Sequence, residues 1–233
     1  METKTLSVNS FILLFKIQIN IMSRYRGPRL RITRKLGDLP GLTKKVPKDS
    51  KKRTPGQHGI DPEKKEKQME RKRNQYGIRL WEKQKVCYNY GITENQLLGY
   101  VREARKIKGS TGKVFLELLE MRVDNIVFRL GLTPTIVAAR QLVNHGHILI
   151  NDKKVTIPSY QCRPKDVITV SKKKQAQNVI TEFVNSQNVI KTPPHLSFQK
   201  ENLTGNVKGI ITRKWVGLQL KELRVIEYCS RKL

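Results

Sequence analysis

Four arginines stand close together near the start of the chain, with Tyr25 among them; they are Arg24, Arg26, Arg29 and Arg31. A guanidinium group can bind a phosphate through two hydrogen bonds, and it can also stack on a base. Side chains at this spacing suit an extended segment lying along RNA better than they suit a helix. The pattern therefore predicts an extended arm that binds RNA through its arginines, with Tyr25 as a ring on which a base can stack.

A second group of polar side chains falls between residues 122 and 153. Arginine and lysine can neutralise phosphates, whereas asparagine, glutamine and histidine can reach a 2′-hydroxyl or a base edge. The group consists of Arg122, Arg129, Arg140, Gln141, Asn144, His145, Asn151 and Lys153. Arg140, Asn144 and His145 fall near one predicted helix end and therefore favour a common contact surface. Arg129 is equally consistent with an ion pair inside this segment, and Asp124 favours a helix cap.

Metal and acid–base chemistry have little support in the sequence. The cysteines Cys87, Cys162 and Cys229 lie far apart, no CxxC is present, and the four histidines complete no ligand set. A structural zinc site needs four ligands in close sequence pairs. His145 has no nucleophile or partnered carboxylate near it in the sequence, which argues against a general base. We therefore expect no metal and no cofactor, and we interpret the thiols as inert packing groups in a reducing compartment.

The charge of the chain favours an anionic partner. The 233 residues include 47 Lys and Arg against 19 Asp and Glu, a net charge of +28. Residues 22–60 alone hold 12 basic and 2 acidic residues, a net charge of +10. Nucleic acid is the first candidate and an anionic membrane surface the second. No apolar run approaches the ~18 residues of a membrane-spanning helix, and the charge is not concentrated on one amphipathic helix, so we expect no membrane partner.

The elements that position these residues follow from apolar periodicity. Helices are predicted over 76–91 and 111–121, and a third between them starts at a capping box of Thr93 and Gln96. The next segment is predicted to form two short helices, a hairpin around Asn151–Asp152–Lys153 and a further strand. An amphipathic helix, a second hairpin and an apolar tail that returns to the first helices complete the chain. This pattern predicts an α+β fold.

Three segments carry motifs of a known module. MRVDNIVFRLG at 121–131, AARQLVNHGHILIN at 138–151 and CRPKDVITV at 162–170 resemble the S4 RNA-binding module. The flanking segments resemble the small-subunit ribosomal protein S4 family, of the plastid type. They are MSRYRGPRLRITRKLG at 22–37, LPGLTKK at 39–45, PGQHG at 55–59, YGIRLWEKQKV at 76–86 and RVIEYCSRKL at 224–233. The resemblance covers residues 22–233.

This resemblance implies a specific arrangement of the chain. Segments on both sides of the module form one mostly helical domain, and the module, two short helices packed on a small β-sheet, is inserted between them. The implied divisions are an atypical N-terminal extension over 1–21, a basic extended N-terminal arm over 22–60, a first helical part over 61–120, the module over 121–171 and a C-terminal part over 172–233 that returns to the helical domain. Because the arm has few large apolar residues, we expect it to be mobile in the free protein and dispensable for folding.

The resemblance also implies a function. Members of the family are primary binders of small-subunit ribosomal RNA that nucleate assembly of the subunit body, and with ribosomal protein S5 they contribute to translational accuracy. The implied partners are this RNA, ribosomal protein S5 and other small-subunit proteins, with no small-molecule substrate, and the implied location is the plastid (chloroplast stroma). Some members hold zinc through cysteines in the arm, but residues 22–60 contain no cysteine.

Further RNA-contact candidates come from the same resemblance. Lys83 and Lys85 are otherwise consistent with a solvated helix face, and Gln57 and His58 in PGQHG are expected in a turn against RNA.

The competing class of protein is an RNA-modifying enzyme, such as a pseudouridine synthase, that carries the same module. Such an enzyme needs a large catalytic domain with a committed aspartate, and the segments flanking the module are too short or too basic to form one. We therefore predict that the protein is not an enzyme.

Overall fold

The computed structural model describes residues 25–48, 53–56, 59, 74–186 and 192–233. The predictions for residues 1–21, Arg24, Gln57 and His58 lie outside the described residues. The described part combines helices with one antiparallel sheet, which confirms the predicted α+β fold. Apolar side chains from the helices and the sheet meet in a single buried core.

The described residues contain eight α-helices. In order they are α1 Arg29–Leu36, α2 Gln75–Tyr90, α3 Glu94–Lys106, α4 Thr111–Glu120, α5 Val123–Arg129, α6 Ile136–Asn144, α7 Lys174–Ser186 and α8 Glu222–Ser230. Two predicted boundaries are confirmed. Helix α2 ends at Gly91, whose φ of 59° favours glycine. The Thr93 hydroxyl and the Gln96 side chain form both bonds of a capping box at the start of α3.

The C-terminal helix returns to the helices that precede the module, as predicted. Helix α8 packs against α2 and α4. The backbone N–H of Lys221 donates to the Glu82 carboxylate at 3.2 Å and fixes the start of α8 on α2. At the contact with α4, a Cβ on Gly112 would lie 2.8 Å from Cγ of Glu222, so glycine permits this close approach. Segments far apart in sequence therefore form one helical domain.

The predicted module contains the expected pair of helices and the expected hairpin. Helices α5 and α6 pack against each other. The strands of the sheet are β1 Ile148–Ile150, β2 Lys153–Lys154, β3 Val167–Val170, β4 Leu196–Gln199 and β5 Thr204–Val207. Asn151 and Asp152 join β1 to β2, and their φ angles of 50° and 64° are those of a tight two-residue hairpin turn.

The second hairpin extends the sheet of the module, which the sequence did not predict. The strand order is β2-β1-β3-β5-β4, and every neighbouring pair is antiparallel. An edge strand presents unpaired backbone groups, and β5 satisfies those of β3. The register places Gly205 opposite Ile168. A Cβ at Gly205 would lie 2.4 Å from Leu130 Cδ1, so glycine lets β5 pack over α5. The division expected at residue 171 thus falls between strands that share one sheet.

The described part of the N-terminal arm is folded onto the core, so its predicted extended conformation is wrong for residues 29–36, which form α1. Leu36 at the end of α1 and Leu39 and Leu42 in the turn that follows are buried in the core. The backbone of Gly41 accepts a hydrogen bond from the N–H of Ile136 at 3.0 Å. Its own N–H donates to the Asn89 side chain at 3.0 Å. The arm therefore contacts both the helical domain and the module, whereas its mobility in the free protein and its dispensability for folding stay predictions.

The anchoring of the arm predicts a stability effect. We expect Leu39→Ala to lower the free energy of unfolding by about 2–5 kcal/mol, because Leu39 is 2% exposed and its removal leaves a cavity. Urea denaturation followed by circular dichroism measures this loss. Leu30→Ala is the matched control, since Leu30 is 37% exposed and its loss should stay within ~0.5 kcal/mol. Equal midpoints for the two variants would show that the arm does not contribute to the core.

Candidate nucleic-acid interface

Two of the arginines predicted to contact RNA are bound to an interior carboxylate. Arg122 is 1% exposed, and its Nε and Nη2 donate to Asp124 Oδ1 and Oδ2 at 3.0 and 2.8 Å. Arg140 Nε donates to the same Oδ2 at 2.7 Å. Asp124 lies in the first turn of α5, whose N-cap is Arg122, so it is not the N-cap residue itself. Its Oδ1 still accepts from the first-turn N–H of Asn125 at 2.8 Å, and its carboxylate is the centre of an ion-pair cluster. The expectation that Arg122 is available to RNA is wrong.

Arg140 connects the module to the helical domain. Its Nη2 donates to the carbonyl of Tyr90 at 2.7 Å, and its Nη1 donates to the carbonyl of Gly91. Both carbonyls belong to the C-terminal end of α2, where a positive charge is favourable. The guanidinium group is thus satisfied by protein on several sides, and the expectation that it is exposed to RNA is wrong.

A second buried cluster surrounds Glu120 and occupies Arg129. Arg129 Nη2 and Nε donate to Glu120 Oε1 and Oε2 at 2.8 and 3.1 Å. The same carboxylate accepts from the Tyr90 hydroxyl at 2.5 Å and from Asn125 Nδ2 at 2.5 Å. Arg129 was predicted either to contact RNA or to form an ion pair, and the structure confirms the ion pair. Its partner is the last residue of α4 and not an acid inside the module.

Lys83 and Lys85 are also paired within the protein. Lys83 Nζ lies 2.8 Å from Glu94 Oε2 and 5.1 Å from the centre of the Tyr228 ring. Hydrogen bonds from Lys232 and Lys83 lower the pKa of the Glu94 carboxyl to about 2, so this acid is ionised at neutral pH. Lys85 lies 3.3 Å from Glu82. Lys83 is buried, which contradicts both its predicted RNA contact and the alternative of a solvated face.

The other residues predicted to contact RNA differ in how far their side chains are exposed. Arg26, Arg31, Gln141, Asn144, His145 and Lys153 are exposed. Arg29 is half-buried and donates to the Leu42 carbonyl at 3.5 Å. Asn151 is exposed, but its amide accepts from the N–H of Val167 and donates to Asp166, each at 2.9 Å. Asn151 therefore stabilises the hairpin, and its RNA contact stays a prediction.

Several polar and basic residues of the module and of the segment that follows it lie near the C-terminal end of α6. We call this the basic surface: it consists of Asn144, His145, half-buried His147, Lys154 and Lys173, together with Lys153 and Lys172, the exposed chain neighbours of the two lysines. The rings of His145 and His147 are 5.9 Å apart. The Lys154 side chain lies over Gly146, where a Cβ would come within 1.9 Å of its Cε. The N–H of Ser171 donates to the His147 carbonyl at 2.8 Å, which brings the lysines after β3 to the same place.

The electrostatics of the basic surface suit a phosphate backbone. Partial burial lowers the pKa of His147, and the nearby His145, Lys173 and Lys154 lower it further. His147 is therefore neutral at pH 7, whereas the lysines carry the positive charge. Lysines neutralise phosphates, and a neutral imidazole can donate to or accept from a 2′-hydroxyl. Sequence reasoning missed His147, Lys154 and Lys173, although the run Lys172–Lys174 was a usable signal.

The described residues give little support for metal binding, membrane insertion or thiol chemistry. They contain no group of three or more His, Cys, Asp and Glu side chains able to hold a metal ion. Nor does any helix within the described ranges have the length and apolar character needed to cross a membrane. Burial raises the pKa of the Cys87 and Cys162 thiols to about 12 and that of Cys229 to about 11. All three are free thiols, protonated at neutral pH, which agrees with inert packing.

Comparison with known proteins identifies two consecutive family domains in the chain. Residues 24–120 match the ribosomal protein S4/S9 N-terminal domain, and residues 121–168 match the S4 domain. The small ribosomal subunit protein uS4c of Tupiella akineta is 58% identical over 210 residues, which cover 90% of this chain and 100% of the relative. The uS4 of Thermosynechococcus vestitus is 55% identical over 212 residues, 91% of this chain and 100% of the relative. The uS4c of Emiliania huxleyi is 54% identical over 212 residues, with the same coverage.

An S4 domain that follows this N-terminal domain defines a class of small-subunit ribosomal protein. The chain belongs to the uS4 family, and it is of the plastid type. Its location is accordingly the small ribosomal subunit of the plastid. The relatives are named as ribosomal proteins and not as enzymes.

Proposed function

We propose that the protein is a structural component of the small ribosomal subunit that binds its ribosomal RNA directly, without catalysing a reaction. The observation that carries this proposal is the basic surface, where Lys154 and Lys173, each with an exposed lysine beside it in the chain, lie next to His145 and His147 at one end of the S4 module. Phosphate contacts supply most of the affinity of such a surface and fix its register on the RNA. The net charge of +28 supports the same partner.

Two finer parts of the proposal rest on family membership. The protein joins the RNA early and nucleates assembly of the subunit body, and it contacts ribosomal protein S5 with an effect on decoding accuracy. The burial of Leu36, Leu39 and Leu42 supports the early role, because an arm anchored on the protein core leaves fewer residues to be ordered on RNA. Binding then has less ordering entropy to overcome.

Nuclease footprinting of the full chain on small-subunit ribosomal RNA tests the proposal. We expect protection of a junction where several RNA helices meet. The variant Lys153→Ala/Lys154→Ala/Lys173→Ala should weaken binding and should lower the slope of log K against log salt by about 1 for each lysine that contacts a phosphate. Circular dichroism should be unchanged, because the three side chains are exposed.

The matched control is Lys106→Ala/Lys108→Ala/Lys113→Ala, which removes the same charge from exposed positions at the end of α3 and the start of α4. If both triple variants lose the same affinity, total charge matters and the basic surface does not. If the wild-type chain protects no RNA, the proposed function is wrong. Conversion of uridine to pseudouridine in the incubated RNA would identify the protein as an enzyme instead.

A further inference from the structure

A groove of about 870 Å³ lies between the helical domain and the S4 module. The arm contributes Tyr25 and Leu42 to its wall, helix α2 contributes Tyr88, and the module contributes Asn144 and residues 156–159. Its volume falls within the ~300–1,000 Å³ of pockets that bury a small organic ligand. A nucleoside is a ligand of that size, whereas an RNA duplex is much too wide to enter.

Two tyrosines form an aromatic corner in this groove. The rings of Tyr25 and Tyr88 have centroids 5.4 Å apart and an interplanar angle of 81°, an edge-to-face contact. Tyr88 is half-buried, whereas Tyr25 is 41% exposed. An exposed ring that a neighbouring ring holds in place is a stacking surface for an unpaired base.

Gly27 is required for the position of the Tyr25 ring. A Cβ at residue 27 would lie 2.5 Å from the Tyr25 hydroxyl oxygen and 2.6 Å from Cζ. The ring therefore lies against the backbone of Gly27, and a methyl group there would displace it. A substitution at residue 27 thus moves the ring without removing it and without changing any charge.

The polarity of the groove suits a base better than a phosphate. Lys83 in its wall is paired with Glu94 at 2.8 Å, and Arg140 is paired with Asp124 at 2.7 Å. The positive charges of the wall are thus neutralised within the protein. The amides of Asn144 and Gln84 are suitable partners for a base edge. Asn144 also belongs to the basic surface, so the groove opens next to the side chains that attract phosphates.

We propose that the groove binds an unpaired RNA base, which stacks on Tyr25 while its flanking phosphates lie on the basic surface. This inference rests on the proposed function and specifies the kind of RNA element that the protein recognises: a nucleotide at a junction, bulge or loop. Duplex RNA, which is too wide to enter the groove, contacts only the basic surface. Sequence reasoning identified Tyr25 as a ring that can stack, but the second ring and the groove appear only in the fold.

The test uses two RNA probes with the full-length protein. One is a short oligoadenylate with 2-aminopurine at its centre, and the other is a blunt RNA duplex of the same length. We expect the wild-type chain to quench 2-aminopurine fluorescence, as stacking does. Tyr25→Leu should weaken binding of the single strand about 5- to 150-fold, the range of one base–aromatic stack, and should leave duplex binding unchanged. Tyr25→Phe keeps the ring and should behave as wild type.

Two further variants serve as controls for folding and for location. Gly27→Ala should weaken single-strand binding as Tyr25→Leu does, because it displaces the ring at constant charge. Tyr76→Leu removes a tyrosine that is 48% exposed and lies outside the groove wall, so it should have no effect. If Tyr25→Leu fails to fold, Gly27→Ala and the quenching by wild type decide the outcome.

The results separate this inference from the proposed function. If the wild-type chain protects ribosomal RNA but Tyr25→Leu and Gly27→Ala bind the single strand as tightly as wild type, the inference is wrong and the proposed function stands. An equal loss on single strand and duplex also overturns the inference. If the wild-type chain binds no ribosomal RNA, the proposed function fails, and the groove loses its ligand with it.

Discussion

The affinity of the protein for small-subunit ribosomal RNA should fall about 10³- to 10⁴-fold when monovalent salt rises from 50 to 200 mM. Each neutralised phosphate contributes ~0.7–0.9 to the slope of log K against log salt, so about eight contacts give a slope of about −6 to −7. The arm and the basic surface offer enough exposed cations for this number. They include Arg26, Arg31, Lys44, Lys45, Lys153, Lys154, Lys172 and Lys173.

The buried cations do not add to this slope. Arg122, Arg129 and Arg140 are held by Asp124 and Glu120, so they release no counterions when RNA binds. A filter-binding titration at several salt concentrations measures the slope. A nearly flat titration would contradict an electrostatic interface, because a surface with this charge cannot bind phosphates without releasing counterions.

Local features of the fold could be predicted from the sequence because neighbouring residues determine them. The capping box of Thr93 and Gln96, the stop at Gly91 and the turn at Asn151–Asp152 each depend on contacts within a few residues. The arrangement of the arm could not be predicted in this way. Its Pro- and Lys-rich composition suggests no core of its own, but three leucines are enough to anchor it on a core that other segments supply.

For the candidate site, even less could be predicted from the sequence, because its side chains depend on contacts between residues far apart in the chain. Whether an arginine contacts RNA depends on which carboxylate or carbonyl lies beside it in the fold. Arg140 is bound by carbonyls 49 and 50 residues away, and no sequence pattern reveals that pairing. Lys153 was predicted correctly as exposed, because it lies in a hairpin, and Asn144 and His145 are exposed at the C-terminal end of α6. Their RNA contacts stay predictions until the footprint is measured.

Loss of the Asp124 carboxylate should destabilise the protein by about 3–5 kcal/mol. Asp124 is 1% exposed and binds both Arg122 and Arg140, so Asp124→Asn leaves two guanidinium groups without their counter-charge in the interior. An unpaired buried charge costs far more than a lost surface ion pair. Because Arg140 also holds the end of α2, the contact between the module and the helical domain should weaken in the same variant.

The pH dependence of stability provides a second readout for Asp124. Burial raises the pKa of this carboxyl, but Arg122 and Arg140 lower it by more, so the pKa in the folded state lies below its ordinary value of 3.8. The unfolded chain therefore binds a proton more readily than the folded one in acid. The stabilisation is complete above the unfolded pKa and is lost as the pH falls through the folded pKa. Asp124→Asn lacks this group, so its stability should depend less on pH in the acid range.

Urea denaturation of the full-length variant at pH 7 and at acid pH measures both effects. Asp38→Asn is the matched control, because Asp38 is exposed and the same change in charge should alter stability by no more than ~0.5 kcal/mol. A loss below ~1 kcal/mol for Asp124→Asn at pH 7 would mean that water or a rearranged side chain satisfies both arginines. The link between the module and the helical domain would then have to rest on apolar packing and on the backbone contact of Gly41 with Ile136.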